Sequence, residues 1–471
     1  MYYDYLGLAV VSITLVDFEM NNEILPKASI DIKAIRSNPA LYSQNCVHRR
    51  YGGSAQIPQQ IVDCHSQWLE LERSSLEARQ KLKNVQTQIA AAEEDEKKSF
   101  LSEARSLRVS LEQSEPQQEW LQNKIAGLSN QLPNLSSDET PLGDKPLIIE
   151  ATPPPDRNDD ALRDHVRIGT QLDILDFSSA ISTSGWGFYF LRKEAKKLAR
   201  ALVNYAESVV ERHQYEPCDP PTLIYSQIAQ ACGYRPRDQN GEQQVYDIHR
   251  PYNDAQTQKP QLSLAGTAEI PLATMQANKT LQQKDLPARI VGSSRCYRAE
   301  AGARGRDTRG LYRVHEFTKV EMFAWTMPGE EVKIFDEMVS IQKEIITSLG
   351  LPFRLLEMPA RELGASASRK RDIEVYFPSR KDLNGGWGEV TSASICTDYQ
   401  TRRLNTRVKT LNEELVFPST INGTAMAVPR ILAAILENGW ENDDVVRIPE
   451  ALWPWMNGQK IIGKHKINVA S

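Results

Sequence analysis

The residues between Pro58 and Pro133 narrow the possible folds of this 471-residue chain more than any other stretch, because glycine and proline almost disappear there. The segment is rich in Leu, Gln, Glu, Lys, Arg and Ala, which favour helices. Apolar residues recur at heptad spacing, interrupted only by Ser75, and this pattern predicts a helix with a packing seam. The seam consists of Ile61, Trp68, Leu71, Ala78, Leu82, Val85 and Ile89.

A second seam follows a polar stretch at residues 91–98. The simplest arrangement is a hairpin of two antiparallel helices. Pro116 lies inside the second helix and predicts a kink or an end there, because proline lacks the amide that a helix needs. The second seam consists of Phe100, Ala104, Leu107, Leu111, Leu121, Ile125 and Leu128.

The stretch from Arg295 to Phe317 contains six arginines, three acids, three glycines and three aromatic residues. Arg298 and Glu300 are two apart, so in a strand they would share one face. A guanidinium group can hold a phosphate, and a carboxylate can accept from an exocyclic amine. The same alternation puts Arg313 and Phe317 on one face, with His315 between them. This composition indicates a nucleotide polyphosphate site, and a solvated basic hairpin is the alternative.

These residues resemble motif 2 of seryl-tRNA synthetases, which are class II aminoacyl-tRNA synthetases. The resemblance rests on Tyr297-Arg-x-Glu-Ala-Gly302 and on Arg313-Val-His-Glu-Phe-x-Lys-Val-Glu321, and it extends over roughly residues 30 to 440. Further segments resemble motif 1 (Gly187–Phe190 and the run to Val210), the Thr-x-Glu loop (Leu264–Glu269), the metal and ATP strand (Glu389–Ser392) and motif 3 (Asn422–Arg430).

The resemblance implies an α+β fold, in which a class II antiparallel sheet is flanked by helices and follows an N-terminal antiparallel two-helix coiled-coil arm. Periodicity alone indicates only mixed α and β structure beyond the arm. The implied divisions are an N-terminal extension (1–30), a tRNA-binding domain with the helical hairpin arm (31–135), a linker (136–158) and a class II catalytic domain (159–471).

The implied activity is that of a serine–tRNA ligase, which activates L-serine with ATP and transfers it to the 3′ end of tRNA(Ser). The expected partners are L-serine, ATP, tRNA(Ser) bound through the arm, and a second copy of the chain joined through motif 1. Basic residues on the arm would contact phosphates, although charges on a coiled coil are commonly a solvated face. They are Arg73, Arg79, Lys81, Lys83, Lys97, Lys98, Arg105 and Arg108.

The resemblance also assigns the site residues, with Arg298 and Arg430 as the catalytic pair. Serine would be bound by Thr267, Glu269, Arg298, Glu321 and Thr424. ATP would be bound by Arg298, Glu300, Arg313, Val314, Phe317, Glu389, Val390, Thr391, Ser392 and Arg430. Mg²⁺, which prefers hard oxygen ligands, would be held by Glu389 and Ser392, and no zinc is expected.

The composition also indicates in which cellular compartment the protein is expected to act. The six cysteines form no C-x-x-C pair, which favours a reducing compartment without a zinc site. The apolar run Leu6–Val16 is too short to span a bilayer, so no membrane association is expected. The first 26 residues lack arginine, unlike a mitochondrial presequence. Pro429 nevertheless resembles the Val-Pro-Arg form of mitochondrial members, so the mitochondrial matrix is favoured and the cytoplasm is the alternative.

Two other functions compete with this interpretation. A ligase that loads a carrier protein would share the adenylation core, but the helical arm argues against it. An inactive paralogue would have lost Arg298, Glu300, Glu321 or Arg430, and this chain retains all four. Cys296 beside Arg295 suggests a nucleophile, but adenylate formation requires none.

Overall fold

A computed structural model describes residues 25–154, 164–234, 243–249, 260–300, 310–441 and 444–463. Most of the predicted N-terminal extension, the arginine-rich loop at 301–309, the predicted start of the catalytic domain at 159 and the tail from residue 464 lie outside the described residues. No described helix is both long and apolar enough to cross a membrane.

The described helices are α1 (Ile32–Ser37), α2 (Pro39–His48), α3 (Ile57–Ala91), α4 (Glu94–Asn130), α5 (His165–Gln171), α6 (Ser178–Ser184), α7 (Lys193–Arg212), α8 (Ser226–Ala231), α9 (Glu269–Thr274), α10 (Glu331–Ser348), α11 (Tyr399–Leu404) and α12 (Val428–Asn438). The strands are β1 (Leu147–Ala151), β2 (Leu175–Asp176), β3 (Phe190–Leu191), β4 (Glu216–Cys218), β5 (Leu223–Tyr225), β6 (Leu262–Leu264), β7 (Thr280–Gln282), β8 (Ala288–Tyr297), β9 (Glu316–Thr326), β10 (Phe353–Glu357), β11 (Arg369–Tyr376), β12 (Trp387–Thr397), β13 (Arg407–Lys409), β14 (Leu415–Val416), β15 (Ser419–Ala427), β16 (Trp440–Glu441), β17 (Val445–Arg447) and β18 (Ile461–Gly463).

The predicted helical arm is confirmed. Helices α3 and α4 are 35 and 37 residues long and are joined only through Ala92 and Glu93, so they pack side by side in opposite directions. Seam residues such as Ile61, Val85 and Leu121 are buried between them. The polar stretch at 91–98 therefore forms the tip of the arm and the first turn of α4.

Ser75, which interrupts the apolar pattern, belongs to the seam. Its side chain is 2% exposed, and its hydroxyl accepts a hydrogen bond from Nε2 of Gln118 at 2.9 Å. The hydroxyl of Ser114 lies 3.0 Å from that of Ser75. Ser114 and Gln118 fill the gap in the second seam between Leu111 and Leu121. A buried polar layer of this kind favours one register, because a shifted hairpin would leave these groups unpaired.

Of the two outcomes expected at Pro116, a kink or an end of the helix, the end is wrong, since α4 continues through this residue to Asn130. Pro116 and Glu112, whose carbonyl loses its helical partner, are both exposed. Water can satisfy that carbonyl, so the proline costs less here than inside a packed helix.

The base of the arm packs on α1 and α2 around a small apolar core of its own. Ile35, Cys46, Ile57, Ile61 and Ile125 are among its buried members. This core keeps the arm and the short N-terminal helices together as one packed unit.

The rest of the chain is built on an eight-stranded sheet with the order β1-β10-β11-β12-β15-β9-β8-β4. All neighbours are antiparallel except β4 and β8, which confirms the predicted class II type of sheet. Smaller sheets pair β14-β13-β7, β16-β17-β18, β2-β3 and β5-β6.

The segment predicted as a linker, 136–158, contains the short strand β1. Leu147 and Ile148 pair with β10, the register shifts at Ile149, and β1 forms one edge of the sheet. The residues around β1 are rich in Pro, Ser and Asp, and this composition favoured the prediction of a linker over that of a strand.

Helices α7, α10 and α12 cover one face of the sheet and bury the largest apolar core. Gly423 faces α10, because a Cβ there would lie 3.3 Å from Gln342 and from Met338. Side chains alternate along a strand, so Asn422 and Thr424 face the other side. That second face carries the polar residues of the predicted site.

We expect Ser75→Ala to weaken the arm locally by about 1–3 kcal/mol, because it leaves the buried Gln118 amide without its acceptor. Native-state hydrogen exchange of the α3 and α4 amides measures this loss. Ser74→Ala is the matched control, since Ser74 is exposed and its hydroxyl donates to the carbonyl of Leu71 in its own helix, and it should change the free energy of exchange by less than about 0.5 kcal/mol. Equal effects of the two substitutions would contradict a role for the buried layer.

Candidate active site

A cavity of about 610 Å³ lies on the sheet face opposite α10. Thirteen of the fourteen different residues predicted for the site line it: Glu269, Arg298, Glu300, Arg313, Val314, Phe317, Glu321, Glu389, Val390, Thr391, Ser392, Thr424 and Arg430. Thr267 is the fourteenth; its side chain is fully buried beside the cavity, where its hydroxyl accepts from the backbone N–H of Glu269 at 3.3 Å.

Glu269, the first residue of α9, forms an acidic centre at one end of the cavity. Its carboxylate accepts hydrogen bonds from the hydroxyl of Tyr234 at 2.7 Å, from Nε2 of Gln400 at 2.7 Å and from Nδ2 of Asn422 at 2.9 Å. Burial, together with the nearby Glu321 carboxylate, raises the pKa of Glu269 to about 7. A positively charged ligand group would favour its ionised form.

Lys319 and Glu321 lie on the same face of β9 because they are two residues apart. The Lys319 ammonium lies 2.5 Å from Oε2 of Glu321, and both side chains are almost fully buried. Thr424 is the cross-strand partner of Glu321 on β15, and its hydroxyl donates to the same Oε2 at 3.1 Å. A bulge between Thr424 and Met426 follows directly. The sheet register therefore places a hydroxyl, a carboxylate and an ammonium together.

Arg298 lies just beyond the end of β8 at Tyr297. Its Nε donates to the carbonyl of Gly266 at 3.3 Å, and its guanidinium lies 5.2 Å from the ring centre of Phe317. Strand alternation was expected to place Arg298 and Glu300 on one face. That reason is wrong, because both residues follow the strand and Glu300 has a positive φ of 46°. Both residues nevertheless line the cavity.

The expectation that His315 lies between Arg313 and Phe317 on one face is also wrong. Strand β9 begins only at Glu316, so alternation does not apply before it. His315 instead stacks on Phe188 at 5.4 Å, and its Nδ1 lies 2.9 Å from the hydroxyl of Tyr246.

Gly187, in the segment that resembles motif 1, fits closely against this histidine. A Cβ at Gly187 would lie 2.2 Å from the His315 ring, and the φ of Gly187 is +81°. His315 therefore fixes the motif 1 segment against motif 2 and does not line the cavity.

Charged pairs occupy another part of the cavity. Arg313 donates to Glu300 at 2.7 Å. Arg430, at the start of α12, donates to the carbonyl of Glu389 at 3.0 Å and lies 3.4 Å from its carboxylate. Burial alone would raise the pKa of Glu389, but Arg430 and Lys370 outweigh it and bring this pKa to about 2. Glu389 is therefore ionised at neutral pH.

Glu389 and Ser392 are three residues apart in β12 and would face opposite sides of a regular strand. The pairing with β11 shifts so that Thr391 opposes Ile373 while Glu389 opposes Glu374, which leaves Val390 as an extra residue. A bulge of this kind re-aims the side chains beside it. Both oxygen-bearing side chains therefore line the cavity.

The structure disfavours Cys296 as a nucleophile. Its side chain is fully buried, burial raises the pKa of its thiol, and it packs among Val314, Phe317 and Tyr189. Cys296 is also not among the residues that line the cavity.

Several side chains at the cavity were absent from the predicted site. Lys319 could have been found, since it alternates with Phe317 and Glu321. Lys370, whose ammonium donates to Asp372 at 2.9 Å, also lies on a strand and lines the cavity. Local sequence patterns could not have identified three further side chains, because they lie in segments far from the predicted motifs. They are Tyr51, Tyr234 and Gln400.

Comparison with known proteins first gives the class. Residues 252–439 match the model of the tRNA synthetase class II core domain (G, H, P, S and T). Residues 30–136 match the model of the seryl-tRNA synthetase N-terminal domain. The catalytic body is thus of the class II synthetase type.

Individual relatives then give the family. The chain is 35% identical to the mitochondrial serine–tRNA ligase of Saccharomyces cerevisiae, over 93% of this chain and 94% of the relative. It is 36% identical to the serine–tRNA ligase of Rhodopirellula baltica, over 91% and 98%. The crystal structure of seryl-tRNA synthetase from Pyrococcus horikoshii complexed with ATP superposes with a TM-score of 0.82 at 29% identity, over 92% and 99%. The chain belongs to the seryl-tRNA synthetase family and is a ligase.

We expect the kcat/KM for serine to fall about tenfold for each pH unit below about 7, because the protonated Glu269 carboxyl is neutral and loses its attraction for an ammonium group. Above about pH 7 the value should level off. Serine-dependent ATP–pyrophosphate exchange measured across this range tests the expectation. Glu269→Gln should lower kcat/KM and abolish this pH dependence, and an unchanged profile in that variant would show that another group titrates.

Proposed function

We propose that this cavity activates L-serine with ATP to form seryl-adenylate, and that the chain then transfers the seryl group to the 3′ end of tRNA(Ser). The observation that carries the proposal is a single cavity with a buried acidic end at Glu269 and a separate arginine-rich part around Arg430. The acids suit an amino acid's ammonium and hydroxyl, and the arginines suit phosphates.

At the acidic end, Glu269 would hold the serine ammonium, while Glu321 and Thr424 would meet the serine hydroxyl. Alanine has no hydroxyl and could not make these hydrogen bonds, and comparable sites discriminate against such an analogue by about 10⁴–10⁵. The buried Thr267 hydroxyl, bonded to the backbone of Glu269, supports this end from behind.

Arg298 would join the two ends by contacting both the serine carboxylate and the α-phosphate. Its position supports this role, since Nε is anchored on the carbonyl of Gly266 and the guanidinium rests near the face of Phe317. Holding the two reacting groups in line and neutralising the developing charge are the main requirements of this reaction. Arg298 would supply both.

Phe317 would stack on the adenine and Glu300 would accept from its exocyclic amine, with Val314 lining the same part. Arg313 and Arg430 would hold the γ-phosphate. Arg313 is paired with Glu300, so binding of the γ-phosphate would replace a carboxylate with a phosphate at this arginine.

The residues at Glu389 and Ser392 fit Mg²⁺. The ionised carboxylate and the hydroxyl face the same cavity, and Mg²⁺ commonly takes one or two protein oxygens while phosphates and water supply the rest. When bound, Mg²⁺ would neutralise phosphate charge. Val390 and Thr391 would shape the strand that presents these two ligands.

The arm would bind tRNA(Ser). Its helices extend about 50 Å at 1.5 Å per residue, which is long enough to follow a double-stranded RNA element. Arg73, Arg79, Lys81, Lys83, Arg105 and Arg108 are exposed along it.

Homodimer formation through the motif 1 region is supported by large apolar side chains that are exposed in the single chain. Ile181, Trp186, Phe190 and Leu223 are each 45–57% exposed around this region. A second copy would cover them, in keeping with the tendency of large apolar patches to mark interfaces.

The mitochondrial matrix is the proposed location. The similarity to a yeast mitochondrial relative supports the mitochondrial type, as does Val428-Pro-Arg430, although a bacterial relative is similar to the same degree. The cytoplasm is the alternative. Charging of organellar but not cytosolic tRNA(Ser) would favour the matrix.

We expect the purified chain to catalyse ATP–pyrophosphate exchange with serine and not with alanine. Arg298→Lys should lower kcat by about 10²–10³, because lysine cannot reproduce the fork of donors at the reacting phosphate. Arg295→Lys is the matched control: Arg295 is exposed and pairs only loosely with Glu316 at 3.5 Å. A folded protein without exchange for any amino acid would refute the proposed activity and favour an inactive paralogue.

We expect Lys81→Gln combined with Lys83→Gln to raise the KM for tRNA(Ser) and to flatten its dependence on salt, since fewer counterions are released on binding. Serine-dependent exchange without tRNA should remain unchanged. The control is Lys279→Gln combined with Lys284→Gln, two exposed lysines on the catalytic body. Identical KM values for both double variants would contradict binding through the arm.

A further inference from the structure

Arg49, which directly follows α2, is a fully buried arginine. Its Nη1 donates to the carbonyls of Asn134 at 2.5 Å and Ala367 at 2.8 Å, and its Nη2 donates to the carbonyl of Gly364. Among the described residues no carboxylate forms an ion pair with it. Burial lowers the pKa of Arg49 to about 10. A buried cation held only by backbone carbonyls is costly, which points to a specific positioning task.

Asn134, just after the arm, contacts the same loop. Its Nδ2 donates to the carbonyls of Ser366 at 2.8 Å and Cys396 at 2.9 Å, and its backbone N–H donates to the carbonyl of Ala365 at 2.8 Å. The backbone N–H of Ser137 donates to the carbonyl of Ser368 at 2.9 Å.

The five consecutive carbonyls of residues 364–368 thus all accept hydrogen bonds from residues that precede position 140. The side chains of this loop are glycine, alanine and serine, which bury little apolar area. The hydrogen bonds to its backbone carbonyls must therefore contribute much of the free energy that holds this loop in place.

This loop forms part of the cavity wall at the acidic end. Residues 364–367 line the cavity, and Tyr51, which follows Arg49 by two positions, lines it as well. The loop packs on Gly233, where a Cβ would lie 3.0 Å from the backbone nitrogen of Ser366. The next residue, Tyr234, donates to Glu269. The N-terminal helices therefore reach the cavity through this loop.

We propose that Arg49 and Asn134 are positioning residues through which the N-terminal helical unit shapes the serine end of the cavity. This inference rests on the proposed assignment of the Glu269 end to serine. The unit that carries the arm is then physically connected to the amino-acid site within one chain.

The test compares KM values in ATP–pyrophosphate exchange without tRNA. Arg49→Met removes the donors but keeps much of the length, and it should raise the KM for serine about tenfold or more while the KM for ATP stays within about twofold. Arg49→Lys keeps the charge and fewer donors, so it should give an intermediate rise. Arg50→Met, at the exposed neighbouring arginine, should change neither constant.

Hydrogen exchange gives a second measurement that does not depend on activity. In Arg49→Met the amides of residues 364–368 should exchange faster, while those in the distal half of the arm should not. A wild-type chain without serine-dependent exchange would refute the proposed function itself. An active wild type in which both Arg49 variants raise the two KM values equally, or leave the KM for serine unchanged, would overturn the positioning role.

Discussion

Two buried carboxylates at the cavity, Glu269 and Glu321, constrain the rest of the site. Unpaired acids at such depth would be neutral or destabilising, so each needs partners that compensate for lost water. Lys319 and Thr424 supply them to Glu321, and Glu269 receives three neutral donors. Burial and the Glu321 carboxylate outweigh these donors and raise the pKa of Glu269 to about 7, so a cationic ligand would favour its ionised form.

The sheet makes this arrangement possible because its register brings side chains from distant segments to one face. Thr424 opposes Glu321 across β15 and β9, and the bulge at Val390 turns Glu389 toward the same cavity. The opposite face packs against α7, α10 and α12, so the strands that carry the charges are held by a large apolar core. Rigid elements of this kind suit a site that works by positioning.

Much of this fold and site could be predicted from the sequence, because heptad spacing and dense local motifs act over short distances. The helical arm and the Arg298 and Arg430 motifs are of this kind. The expectation of a helix end at Pro116 failed because the energetic cost of proline in a helix depends on its exposure to water. The local sequence does not show that exposure. The predicted position of His315 was wrong, because strand alternation begins only at Glu316. Contacts over long sequence separations, such as Arg49 with the loop at 364–368, leave no local pattern.

The most direct measurement is a crystal structure of the chain with a non-hydrolysable seryl-adenylate analogue bound. We expect the serine ammonium on Glu269, the serine hydroxyl on Glu321 and Thr424, the phosphate mimic on Arg298 and the adenine against Phe317. An analogue bound in the reverse direction, or bound outside this cavity, would show that this sheet face does not join the amino-acid and nucleotide sites as proposed.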